Sequence, residues 1–327
     1  MALIEVRNLK KYYQVYQKEP GLKGSIKSLF SRKYEEVKAV DDISFNIEEG
    51  ELVGFIGPNG AGKTTVLKCL SGLLYPTSGF VSVLGFSPSQ RKIDFLRQIS
   101  LIMGQKSQLW WDLPPLETFK LNKEIYEVSN EEYQRNLSKL VNLLEVEDIL
   151  KVQVRKLSLG QRMKCELIAA LLYSPKVIFL DEPTIGLDVV MQKKIRDFIK
   201  EYNQRYKATI ILTSHYMGDV KELCRRVIII DKGKLVFDNQ LSEITQKYSN
   251  HKLISVILTR KIDPKFLGSI AKIKEFNYPK LVYSVRRNEI PQITAKILEK
   301  LPVTDLNIEE PAIEDIIRGL FTGKNYV

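Results

Sequence analysis

Short apolar runs alternate with longer stretches of helical period from the start of the chain to about residue 240, the pattern of an α/β fold with several parallel strands. Leu3 to Leu9 and Ile43 to Ile47 read as early strands. Leu52 to Ile56 reads as a buried strand that runs into a glycine-rich loop and then a helix, Lys63 to Leu70. Glu117 to Tyr126 and Glu131 to Leu144 have helical spacing, entered through Pro114-Pro115. A helix over Leu159 to Tyr173 precedes the fully apolar strand Val177 to Leu180, and Thr209 to Leu212 and Val227 to Ile230 are two further strands. Lys232-Gly233, between Ile230 and Leu235, reads as a hairpin turn.

Two segments stand apart from this alternation. Residues 14–38 carry six Lys/Arg against three Asp/Glu, with Ile26, Leu29 and Phe30 at helical spacing. They read either as a solvated surface insertion or as a basic amphipathic element near lipid headgroups or a membrane partner. Beyond about residue 245, Leu253 to Leu258 and Leu281 to Val285 alternate like strands, and Ile290 to Leu301 and Ala312 to Phe321 like helices. The expected organisation is therefore a main domain over 1–245 and a small α+β appendage with its own core over 246–327.

Composition narrows the picture only a little. At 327 residues and 44% hydrophobic, the chain is long enough for one large core and a small second one. The net charge of +11 suits a solvated basic face equally with an anionic partner such as a nucleotide, a nucleic acid or a membrane surface. Cys69, Cys165 and Cys224 are odd in number and scattered, which argues for reduced thiols in a cytosolic protein rather than a disulfide framework or metal site. No apolar run approaches the ~18 residues a membrane-spanning helix needs, so the chain is not expected to cross a membrane by itself.

The chemistry starts at GFIGPNGAGKTT, where Gly57, Gly62, Lys63 and Thr64 fill the pattern G-x-x-x-x-G-K-[ST] between a strand and a helix. Backbone N–H groups from Asn59 to Thr65 (Asn59, Gly60, Ala61, Gly62, Lys63, Thr64, Thr65) can surround phosphate oxygens, and the helix start adds partial positive charge. Lys63 would reach the β- and γ-phosphates, and Thr64 would offer its hydroxyl to Mg²⁺. Asp181-Glu182 ends the apolar strand of KVIFLDEPT, at the edge where α/β sheets bind ligands. Asp181 would hold Mg²⁺ and Glu182 would accept a proton from the attacking water. A second anion-binding signature, Lys156-Leu-Ser-Leu-Gly-Gln161, opens the next helix nearly a hundred residues after the first, with no phosphate of its own in the chain.

Together these residues resemble the ATP-binding cassette ATPases over about residues 1–245. The resemblance implies a phosphate-loop core carrying an antiparallel β subdomain and a helical subdomain over about 105–172. GPNGAGKT, from Gly57 and Pro58 onward, resembles the phosphate loop and VIFLDEP the Walker B strand. Gln105 in LIMGQ stands where the family has its Q-loop glutamine, completing the Mg²⁺ shell. LSLGQ, with Ser158, Gly160 and Gln161, is similar to the LSGGQ signature, Leu159 standing where Gly is usual. IGLD, ending at Asp188, resembles the D-loop, and TSHYM makes His215 the switch histidine. Tyr13, with Tyr12 beside it as the alternative, resembles the aromatic that stacks on adenine.

By that resemblance two cassettes close head to tail on ATP and Mg²⁺, with Ser158 and Gly160 touching the γ-phosphate held by the partner. Glu182 and His215 would hold the water, and hydrolysis would release the pair. The second cassette is a copy or a paralogue, and a separate integral membrane permease holds the pair at the cytoplasmic face. Trp110 and Trp111 in QLWWDLPPLETF suit a protein interface or a subdomain core. With the 14–38 segment and the ending IEEPAIEDIIRGLF, they resemble a bacterial branch serving exporters of drug-like or polymeric compounds. The rival is a soluble cassette ATPase acting on ribosomes or nucleic acid. Such proteins carry two cassettes or a long coiled coil, neither of which is present, so no nucleic acid is expected.

Overall fold

The computed structural model describes residues 2–16, 34–104, 106–214, 216–248 and 250–322. It divides into two compact units between Asn239 and Gln240, earlier than the boundary near residue 245 expected from the sequence, because the helix Leu241–Tyr248 belongs with the second unit.

The first unit begins with a hairpin longer than its apolar pattern suggests. β1 (Ala2–Tyr16) and β2 (Tyr34–Glu48) pair antiparallel from Ala2↔Glu48 to Tyr16↔Tyr34. The ends of the basic 14–38 segment are thus strand, while Ile26, Leu29 and Phe30 lie outside the described residues. The register shifts where Lys11 faces Val40 but Tyr12 faces Lys38. The extra residue at that bulge is Ala39, which hides the two-residue alternation over this stretch. A third strand, β4 (Ser78–Val83), pairs with the other edge of β1.

The main sheet has the order β5-β6-β7-β3-β8-β9. Its members are β3 (Leu52–Ile56), β5 (Ile99–Met103), β6 (Val177–Asp181), β7 (Thr209–Thr213), β8 (Arg226–Asp231) and β9 (Lys234–Gln240). The pairs β5-β6, β6-β7, β3-β7 and β3-β8 are parallel. β8 turns into β9 through Lys232 and Gly233, both in the left-handed region at φ 46° and 76°, the conformation a two-residue hairpin demands. Because the strands run the same way, the C-terminal ends of β3, β5, β6 and β7 meet at one edge, where sequence-distant loops converge. Ile4, Leu9, Ile43, Phe55, Leu67, Phe179, Ile211 and Ile228 fill the core between this sheet and the hairpin.

Between β5 and β6 the described segments are helical: Pro115–Ile125, Asn130–Leu144 and Leu159–Leu171. Ser129 caps the second, accepting from the Glu132 amide at 3.2 Å, a contact worth about 1 kcal/mol. The 18-residue helix Val189–Tyr206 follows β6 and buries Ile195, Phe198, Ile199 and Tyr202. All three cysteines are buried and unpaired in disulfides.

The second unit is a β-α-β-β-α-β fold. β10 (His251–Leu258), β11 (Lys272–Asn277), β12 (Lys280–Arg286) and β13 (Val303–Glu309) form an antiparallel sheet in the order β11-β12-β10-β13. Ile254, Val256, Leu258, Leu281, Tyr283 and Val285 pack with Leu267 and Ile297 of the intervening helices. The Tyr283 hydroxyl, fully buried, donates to the Leu267 carbonyl at 2.9 Å. The helices Leu241–Tyr248 and Ile313–Thr322 lie against each other, and Lys274 of β11 bonds Asp315 at 2.8 Å.

Candidate active site

The phosphate loop leaves β3 through backbone that admits no side chain. A Cβ on Gly57 would lie 2.3 Å from the Ile230 carbonyl oxygen, and one on Gly62 would lie 2.3 Å from that of Ala39. Gly62 also has φ +105°, which strains any other residue. Its carbonyl accepts the Val66 amide at 2.9 Å, so the loop passes directly into the helix Lys63–Leu70. The hairpin turn braces the loop from outside: the Gly233 amide donates to Ala61 O at 3.0 Å, and Gly233 O accepts from Asp41 N at 2.7 Å. The result is a cleft of about 410 Å³ lined by Ala39, the seven residues from Asn59 to Thr65, Glu182 and Ile185.

Lys63 is buried in this cleft and donates to the Gly57 carbonyl at 2.7 Å and that of Pro58 at 3.1 Å. Burial pushes its ammonium pKa down, and the Glu182 and Asp181 carboxylates oppose that shift. A cation held by two carbonyls beside a row of amides is arranged to receive phosphate oxygens.

Opposite it, Asp181 accepts from Thr64 Oγ1 at 2.8 Å and from Thr213 Oγ1 at 2.6 Å. A threonine hydroxyl beside a carboxylate is a hard-oxygen donor pair, and it suits Mg²⁺. Glu182 takes φ +56°, unusual for a side chain of its size, while its amide donates to Thr213 O and Oγ1, both at 3.1 Å. Gly104 lets β5 end against this turn: a Cβ there would meet Glu182 O at 2.1 Å, and its amide donates to Asp181 O at 2.8 Å. Gln105 and His215 lie outside the described residues. Of the two tyrosines, Tyr12 donates its hydroxyl to Asp41 at 2.5 Å, a bond that pushes its pKa up to about 12. Lys38 lies over the Tyr12 ring at 5.2 Å, and Lys11 over that of Tyr13 at 5.1 Å.

None of Ser158, Gly160, Gln161 and Asp188 lines the cleft. They form a separate assembly. Ser158 caps the helix Leu159–Leu171 in a reciprocal box: its Oγ accepts from Gln161 N at 3.2 Å, and its own amide donates to Gln161 Oε1 at 2.9 Å. Ser158 is exposed, and as an acceptor in the box it keeps its hydroxyl proton for an external anion. Leu159, the departure from the signature pattern, rests on Gly186: a Cβ at Gly186 would lie 3.0 Å from Leu159 Cδ2. A Cβ at Gly160 would meet Met191 Cγ at 2.8 Å. Asp188 caps Val189–Tyr206, accepting from Met191 N at 2.9 Å. Signature and D-loop are therefore packed together in one chain.

Three supporting residues escaped the sequence reading. Gly104 is one. Glu166, buried in the signature helix, accepts from Ser107 Oγ at 2.5 Å and Gln108 N at 3.0 Å, tying the segment after position 105 to that helix. An acid between Cys165 and Leu167 in an apolar stretch was the available signal. Asp219, fully buried, accepts from Thr184 and Ser214; nothing in its local sequence distinguishes it from a surface acid.

A phosphate loop at the edge of a parallel sheet, facing an Asp-Glu pair, defines a nucleoside triphosphatase. Residues 40–185 match the ABC transporter family, and residues 250–309 match the C-terminal domain of EvrA-like ABC transporters. The chain is 31% identical to the ABC transporter ATP-binding protein NatA of Bacillus subtilis, over 71% of this chain and 94% of that protein. It is 29% identical to the methionine import ATP-binding protein MetN of Halalkalibacterium halodurans over 90% and 82%. It is 32% identical to the bacitracin transport ATP-binding protein BcrA of Bacillus licheniformis over 68% and 72%. A solved ATP-binding subunit of an ABC transporter superposes with a TM-score of 0.62 at 26% identity, covering 75% of this chain and 93% of that one. The chain belongs to the ATP-binding subunits of ABC transporters, and its activity is ATP hydrolysis.

Proposed function

We propose that two cassettes, this chain and a copy or paralogue, hydrolyse ATP at their shared interface and drive a separate membrane permease that exports a drug-like or polymeric compound. The observation that carries this reading is the separation of the two anion sites. The cleft holds a lysine, a run of amides and the Glu182 carboxylate, with Asp181 bonded to Thr64 of its wall. The Ser158-capped helix start, outside the cleft, offers a hydroxyl and amides with no phosphate of its own. Facing a partner's cleft, Ser158 and Gly160 would reach the far side of its γ-phosphate.

Within the cleft, Lys63 and the loop amides would hold the phosphates, and Thr64, Asp181 and Gln105 would hold Mg²⁺. Bound there, Mg²⁺ would supply charge neutralisation at the phosphates. Glu182 would take the proton of the attacking water, with His215 beside it at the γ-phosphate. Tyr13 would stack on adenine, with Tyr12, its hydroxyl bonded to Asp41, as the alternative beside it.

A permease contact is supported by the segment after position 105. Trp110 and Trp111 are 58% and 52% exposed, with Leu113, Leu121 and Ile125 also exposed nearby in sequence. Exposed apolar groups on this scale suit an interaction face. No helix among the described residues is long and apolar enough to cross a membrane, so the proposed site of action is peripheral, on the cytoplasmic face. The bacitracin-transport relative favours export and the methionine-import relative opposes it, so direction is the part to test. Copurification from membranes with an integral protein, followed by transport in vesicles of known orientation, does so. Uptake into the cytoplasmic side would reverse the proposed direction, and copurification with ribosomes would restore the rival reading.

A further inference from the structure

The turn that follows Glu182 and the residues on either side of position 215 are joined by one buried carboxylate. Asp219 has 0% exposure. Its Oδ2 accepts from Thr184 Oγ1 at 2.5 Å and from Ser214 Oγ at 2.7 Å, and its Oδ1 accepts from Arg196 Nη1 at 3.0 Å. Thr184 stands two residues after Glu182 and is 1% exposed; Ser214 precedes His215 and is 2% exposed. Ser214 Oγ also accepts the Tyr216 amide at 3.0 Å, so the backbone on both sides of position 215 is tied to the same network. Arg196 lies on the helix that Asp188 opens, and it pairs with Glu222 at 2.6 Å as well.

Asp219 does not line the cleft. Its bonds instead fix backbone. Glu182 sits at φ +56°, a conformation a glutamate keeps only where its surroundings hold it. The turn after it closes through Ile185 N on Glu182 O and Leu187 N on Thr184 O, both at 3.2 Å, and Thr184 is the residue of this turn whose side chain reaches Asp219. We propose that Asp219 is a positioning residue for ATP hydrolysis, holding the Glu182 turn and the loop around position 215 at a fixed separation through Thr184 and Ser214. The proposal rests on the reading of Glu182 as the base. Displacement of a catalytic group by about 1 Å costs on the order of a hundredfold in rate, which is the scale such a brace protects.

The test uses the full chain and compares Thr184→Val with Thr184→Ser. Valine keeps the shape of threonine and loses the hydroxyl; serine keeps the hydroxyl and loses a methyl group. If Thr184 acts only through packing, valine is the milder change. If it acts through Asp219, Thr184→Val lowers kcat on the order of ten- to a hundredfold with ATP affinity and KM unchanged, and Thr184→Ser restores it to within about threefold. Asp219→Asn, whose single amide oxygen cannot accept from both the two hydroxyls and Arg196, is expected to lower kcat as Thr184→Val does, and the double variant to fall no further. If Asp219→Asn does not fold, the threonine pair decides alone. A Thr184→Val chain at wild-type kcat, or a Thr184→Ser chain as impaired as the valine variant, overturns the proposal. A Glu182→Gln chain that still turns over removes the base and the proposal with it. An inactive Glu182→Gln chain beside a fully active Thr184→Val chain overturns the proposal alone.

Discussion

The phosphate cleft and the signature surface both present amide-rich helix starts to an anion, yet they are built in opposite ways. In the cleft the helix starts at a left-handed Gly62, and two charged side chains at its wall are already matched within the chain. Lys63 is on two carbonyls, and Asp181 is on two threonine hydroxyls. At the signature the helix starts at a serine locked in a capping box, is exposed, and is held from behind by apolar contacts of Leu159 and Gly160 with Gly186 and Met191. On the proposed reading, the first surface is ordered for a ligand that enters, and the second would be a stiff face for a ligand that arrives on another molecule. A binding site and a docking face need different rigidity, and the difference is visible in what stands behind each backbone.

That contrast is broken or sharpened by substitutions on each side. The largest effect is expected from Glu182→Gln: ATP binding within about twofold of wild type and turnover down by 10²-fold or more, measured as phosphate release beside nucleotide affinity. Substantial turnover would take Glu182 out of the base role. Ser158→Arg comes next. It leaves ATP affinity of the isolated chain unchanged and lowers turnover on the order of a hundredfold, because the damage falls on the face and not the cleft. Loss of ATP affinity in that variant would show that the two sites are not independent.

Leu159→Gly, which restores the usual family residue, removes the contact on Gly186. It is expected to cost about 1 kcal/mol in stability, read as a lowered Tm, and to reduce turnover by less than tenfold. Faster turnover would show instead that the leucine restrains the signature loop. The smallest effect concerns pH. Burial raises the Glu166 carboxyl pKa despite the Ser107, Gln108 and Leu109 donors. A raised folded-state pKa gives stability that is present below the unfolded value and lost as pH rises through the folded one. Glu166→Gln should flatten that decline in denaturant melts run across the range above the usual carboxylate pKa. An unchanged slope would place the pH dependence elsewhere.

The cleft was legible because its parts are contiguous in sequence. A strand, a glycine loop and a helix lie within GFIGPNGAGKTT, and an apolar strand runs straight into Asp181-Glu182. What was not legible depends on distant partners. Thr213 shares Asp181 with Thr64, and Asp219 joins Thr184 to Ser214, through bonds no local pattern announces. β2 begins at Tyr34, not near Ile43, because the bulge at Ala39 and the charged residues before it conceal the alternation. β11 and β13 flank the second sheet and are half-exposed, so KIKEFN and VTDLNIE lack the apolar face that marked β10 and β12. The helix Val189–Tyr206 carries too many charges on its open side for its apolar stripe to stand out.

Arg162 lies over the ring of Trp111, 5.5 Å from its centroid, and is the fourth residue after Ser158 on the same helix. One helical turn therefore separates the group that would sense a neighbour's nucleotide from the exposed indole that would meet the permease. In the proposed assembly, a push on that indole would reach the signature helix through the Arg162 guanidinium, alongside the bond from the Arg155 amide to Trp111 O at 3.0 Å. The stroke of this machine would then need no relay through the protein's interior, and its gearing could be altered by changing one arginine.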